Sequence, residues 1–101
     1  MKEIEICISL DQVRENIDRI DQSIVEFICE REKYVLQAAL FKKNESEVKA
    51  PQRVEQVIQK VLKITNSIGG NPAIIEKIYR AMISAFTDTE LKEHSKQQKE
   101  A

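Results

Sequence analysis

The chain is 101 residues long, 42% apolar and 33% charged, with a formal net charge of −1. That length fits a single domain, residues 1–101, with enough apolar side chains for a core if helices share it. The near-cancelling charge excludes an extended nucleic-acid surface, which needs an excess of cations.

The N-terminal stretch MKEIEICISL carries two acids and no long apolar run, so it matches neither a secretory signal nor a membrane span. Cys7 and Cys29 then read as buried or free thiols and not as a bridge. A soluble protein of the reducing cytoplasm is the expectation. The first helix opens at Ser9, whose hydroxyl with Gln12 three residues on fits a capping box. Val13, Ile17, Ile20, Ile24, Phe27, Ile28, Val35, Ala38 and Phe41 then recur at the helical period and predict a helix from about Leu10 to Lys43. Such a helix is roughly 50 Å long at ~1.5 Å per residue, whereas a compact chain of this length has a radius of gyration near ~13 Å. A helix that outruns its own globule needs another chain to cover it, so an obligate helical oligomer, most simply a homodimer, is predicted.

Between Lys43 and Ala50 the sequence KNESEVKA loses the period and reads as a polar loop. Pro51 suits a first helical position, where its missing N–H costs nothing, and the second helix runs to about Ser67 with Val54, Val57, Ile58, Val61 and Leu62 inward. Gly69-Gly70 ends it, and Asn71-Pro72 starts a third helix as cap and first position. Ile74, Ile75, Ile78, Met82, Ile83 and Phe86 form its apolar face. The core spans about 10–92, and the polar tail, 93–101, is expected to fray. His94 lies in that tail and reads as solvated. No internal repeat or metal-ligand spacing appears, so the expected fold is all-α, a three-helix chain with a long first helix.

Four cations stand out: Arg14, Arg31, Lys42 and Arg53. Arg31, Ala38 and Lys42 are seven and four apart, so two charges flank a small residue on one stripe, an arrangement that resembles a pocket wall. Arg14 and Arg31 are seventeen apart, about 25 Å along a straight helix, too far to hold one small ligand together. If both serve a site, they come from different protomers. The competing reading pairs Arg14 with Asp11 or Asp18 and leaves all four as ordinary surface charges of a non-catalytic helical dimerisation module.

The segment VRENIDRID (Val13 to Asp21), then Arg31, FKK (Phe41 to Lys43) and APQRV (Ala50 to Val54) resembles the all-helical AroQ-type chorismate mutase family. Within it, the isochorismate pyruvate-lyase branch, which makes salicylate for siderophores, is the nearest in pattern. The resemblance covers about Leu10 to Lys92 and implies an intertwined homodimer. It also implies that Arg14 reaches into the partner's site while Arg31, Lys42 and Arg53 come from one protomer, all cradling a small-molecule dicarboxylate. Guanidinium forks bind carboxylates bidentately and Lys acts as a compact charge. Both family reactions are pericyclic, so no cofactor, metal or nucleophile is implied, and catalysis comes from holding a reactive conformer and stabilising charge on the breaking C–O bond. By the same analogy Lys42 and Glu90 face the ether oxygen.

Three positions depart from the usual mutase pattern. Mutases of this family commonly carry an acidic residue at the position of Ala50 and a Glu at that of Val54, which read the C4 hydroxyl of chorismate. Both are missing, and isochorismate carries its hydroxyl at C2, so the lyase reading is favoured, with conversion of chorismate to prephenate as the alternative or a side activity. Ala50 as a plain helix start and Val54 as a core residue is the bland alternative. Glu90 stands where both branches often have Gln. An amide donates to the ether oxygen in any state, whereas a carboxyl donates only when protonated.

Overall fold

The computed structural model describes residues 3–100, with side chains described through Gln97. Four helices follow one another: α1 (Leu10–Ala39), α2 (Glu45–Lys49), α3 (Pro51–Ser67) and α4 (Pro72–Glu100). No strand occurs among the described residues. The three long helices are those expected from the apolar period; α2 is an addition inside the stretch read as a loop. No helix among the described residues is long and apolar enough to cross a membrane.

The chain groups into two compact units, one ending at Tyr34 and the other beginning at Val35. The first holds most of α1. Its start meets the expected capping box in one half: the Gln12 amide donates to Ser9 Oγ at 3.2 Å, while the Gln12 side chain accepts at 3.0 Å from the amide of Ile8, one residue before the cap. The apolar stripe of α1 faces solvent in the single chain, with Ile17, Ile20 and Ile24 each close to half exposed and Phe27 70% exposed. Cys7 and Cys29 are free thiols.

In the second unit α3 and α2 both pack on α4. Its buried apolar centre includes Ala39, Val48, Ile58 and Phe86. Val57, Val61 and Leu62 are half-buried beside Ile58, which matches the inward face expected for α3. The α3 terminus is closed by Gly69 at φ +73°, with the Gly70 amide donating to the Thr65 carbonyl at 2.9 Å and the Gly69 amide to Asn66 at 3.3 Å. This double bond satisfies carbonyls that the helix end would orphan, and glycine takes the left-handed position without steric cost. Asn71 caps α4 by accepting from the Ala73 amide at 3.0 Å. On the exposed side, Arg80 of α4 donates to both carboxylate oxygens of Glu55 on α3 and to Glu76 on its own helix. Those hydrogen bonds hold the Glu55 carboxyl below its ordinary range and raise the arginine further.

Three expectations need correcting. The first helix stops at Ala39, not Lys43: the amides of Leu40, Phe41 and Lys42 bond three residues back, a tightened final turn. Phe41, counted in the apolar stripe, is 83% exposed there. The second correction is α2, nucleated by Asn44, whose side chain accepts from the Glu47 amide at 2.9 Å, while the Glu47 carboxylate accepts from the Lys43 amide. Val48, 3% exposed, anchors this single turn. The third concerns the tail 93–101, read as polar and fraying, because α4 continues to Glu100 and buries His94 at 5% exposure. On α4 itself, Ile74 and Ile78, expected in the apolar face, remain about half exposed in the single chain.

Candidate active site

Lys42 sits in the short segment between α1 and α2, and Glu90 in the middle of α4, 48 positions later. The lysine Nζ lies 2.7 Å and 2.8 Å from the two carboxylate oxygens of Glu90. The Glu90 side chain is 4% exposed and that of Lys42 is 26% exposed. An acid buried to this degree requires a partner, and two short charge-assisted bonds to one ammonium supply it. The ammonium keeps a third N–H, and its side chain is the more exposed partner of the pair.

Glu90 lies on a buried face of α4. Phe86, Glu90 and His94 are spaced by four, one helical turn each, and all three are buried. His94 Nε2 lies 2.9 Å from the Lys42 carbonyl oxygen. Reading His94 as a solvated tail residue was therefore mistaken. The signal available in the sequence was its register: it stands one turn beyond Glu90 on a helix with no Gly or Pro to stop it.

A groove of about 230 Å³ between α3 and α4 is lined by Val54, Arg80, Ile83, Ser84, Thr87 and Asp88. Ile83 and Thr87 precede Glu90 by seven and three positions and so share its side of α4, although Glu90 does not itself line the groove. Val54 contributes an apolar wall, half-buried. Ala50, at the junction of α2 and α3, adopts the left-handed conformation, φ 37° and ψ 62°. It ends α2 by donating its amide to the Ser46 carbonyl at 3.0 Å and begins α3 without a side-chain cap. A Cβ makes that conformation costly, about 1–2 kcal/mol for a residue other than glycine.

The chorismate mutase type II family profile matches residues 13–91. The chain belongs to this family. As a chorismate mutase type II chain it is also 32% identical over 92 residues, 91% of its own length and 91% of the relative's, to an isochorismate pyruvate lyase of Pseudomonas aeruginosa.

Of the five residues singled out in the sequence of this chorismate mutase type II chain, Lys42 and Glu90 are brought into direct contact. Arg53 is exposed in the first turn of α3, in the same unit. Arg14, exposed, and Arg31, half-buried, are on α1 in the other unit. Their spacing along a continuous helix remains the seventeen residues, about 25 Å, noted above.

Proposed function

We propose that this protein is an isochorismate pyruvate-lyase acting as a homodimer, with each 101-residue chain serving as one domain. The observation that carries the reading is the Lys42–Glu90 pair, which sets a cation beside a buried carboxyl. In the reaction the ring C–O bond of the enolpyruvyl ether breaks while one hydrogen passes from the ring to the enolpyruvyl carbon, giving salicylate and pyruvate. Negative charge grows on the ether oxygen, and a preorganised ammonium is worth more to that transition state than to the neutral ground state. Lys42 takes this role; Glu90 stands beside it at the ether, where a carboxyl donates only in its neutral form.

Arg31 and Arg53 hold the two substrate carboxylates with Lys42, and Arg14 enters from a second copy. The exposed isoleucine stripe of α1 supports that assembly, because a row of apolar side chains at the helical period is stable in water only when covered. A cytoplasmic location fits the two free thiols. The apolar wall at Val54 and the methyl of Ala50, where mutases carry acidic readers, favour isochorismate. The family relationship itself favours a second reading, chorismate to prephenate, because the same cations suit both dicarboxylates.

Purified protein incubated with isochorismate alone tests this. Salicylate fluorescence should rise in step with released pyruvate, and every one of the Arg31→Ala, Arg53→Ala and Arg14→Ala variants should be strongly impaired. No salicylate above the uncatalysed rate would reject the lyase reading.

A further inference from the structure

The Lys42 side chain is long and flexible, and its four torsions allow the ammonium to reach Glu90 from many backbone positions. Contact with Glu90 therefore does not by itself fix where the ammonium stands once a ligand competes for it. The backbone needs its own anchor. Lys42 lies where the α1 ladder has ended, its amide only 3.4 Å from the Ala39 carbonyl in a closing turn, and its carbonyl is turned to α4.

There the carbonyl meets His94 at 2.9 Å. A carbonyl oxygen only accepts, so the imidazole Nε2 carries the proton and donates. Two side chains one turn apart on α4 thus grip the two ends of a single residue: Glu90 takes the ammonium and His94 takes the main chain. The imidazole is itself 5% exposed and the bond is partly shielded from water, so removing the donor would loosen the hold on that carbonyl.

We propose that His94 is a positioning residue that fixes the main chain of Lys42, so that the ammonium stays aimed into the site when a ligand oxygen draws it away from Glu90. The inference rests on the assignment of Lys42 to the breaking C–O bond. Misplacing a catalytic group by about 1 Å can reduce a rate ~10²-fold, so the tether acts on turnover more than on substrate affinity, which the arginines dominate.

Two full-length variants separate the hydrogen bond from simple packing. His94→Leu fills the space without a donor, and His94→Gln places an amide N–H near the position of Nε2. His94→Leu should lose ~10- to 10²-fold in kcat with KM little changed, and His94→Gln should recover most of it. Amide deuterium exchange over residues 40–44 should quicken in His94→Leu alone, with exchange in α3 unchanged. Wild-type kcat and wild-type exchange in both variants would overturn the proposal, as would faster exchange spread over the whole of α4 with a lowered Tm, the mark of a purely structural residue. Should the wild type turn over neither isochorismate nor chorismate, the functional reading fails, and the exchange comparison on its own then decides whether His94 fixes this segment.

Discussion

Lys42 donates to both carboxylate oxygens of Glu90, across 48 positions of sequence and in a setting that leaves the acid 4% exposed. The partner that satisfies the buried acid is also the cation proposed to face the ether oxygen. Removing either group has two consequences, and they are separable.

Lys42→Ala strands a buried carboxylate. Breaking a buried pair from one side costs ~3–5 kcal/mol, and the low end applies because the lysine is itself 26% exposed. The variant should denature at lower urea concentration, and the double variant Lys42→Ala/Glu90→Gln should regain most of that stability, since no charge is left unpaired. Activity should stay depressed by ~10²–10³-fold in both, with binding of a non-reactive dicarboxylate analogue weakened far less. Equal losses of binding and rate would make Lys42 a carboxylate anchor only.

Glu90→Gln supplies a permanent amide donor of nearly the same shape. An amide donates in any state, so the Gln variant should show equal or higher activity at neutral pH, while Glu90→Ala stays slow. Equal rates in Glu90→Gln and Glu90→Ala would remove Glu90 from the ether oxygen.

Ala50 carries a Cβ in a left-handed conformation at the joint of two helices. Ala50→Gly should therefore raise stability by about 0.5–1 kcal/mol, the steric relief exceeding the added entropy of the unfolded glycine, read as a higher urea midpoint. Ala50→Asp is tolerated for a related reason: aspartate is enriched in this conformation and can cap α3. Combined with Val54→Glu, whose carboxylate enters a groove already lined by Arg80, it should shift preference toward chorismate. An unchanged ratio of products would place these positions outside the specificity wall.

Assembly follows from the exposed stripe of α1. The protein should sediment as a dimer and unfold with a concentration-dependent midpoint. Arg14→Ala and Arg31→Ala should each be inactive alone, yet a refolded mixture should regain part of the activity, because some mixed dimers hold one intact site. Folded, dimeric mutants with no recovery on mixing would count against shared sites.

The long helices were legible because each carries the apolar period over many turns and is bounded by residues with one structural use: Ser9, Pro51, Gly69-Gly70 and Asn71-Pro72. Lys42 stood out through its spacing from Arg31 and Ala38, whereas Glu90 and its pairing with Lys42 were readable only through family resemblance, since no local pattern links residues 48 apart. The short α2 was missed because one apolar residue, Val48, cannot show a period. Its signal was the Asn44-x-x-Glu47 capping pattern, which the hydrogen bonds reproduce. The buried end of α4 was missed for the opposite reason: Lys92, Glu93, Ser95 and Lys96 make the segment look solvated, while His94, the group it buries firmly, is polar and shows no hydrophobic signal. His94 is satisfied by a backbone carbonyl, a partner that has no sequence signature at all.

Competition measures selection between isochorismate and chorismate directly. With the two dicarboxylates present together at equal concentration, the ratio of salicylate to prephenate formed at early times equals the ratio of the two kcat/KM values, independent of enzyme concentration. Salicylate should predominate, and Ala50→Asp/Val54→Glu should lower the ratio. Prephenate in excess from the wild-type protein would contradict the lyase reading and make this chain a chorismate mutase.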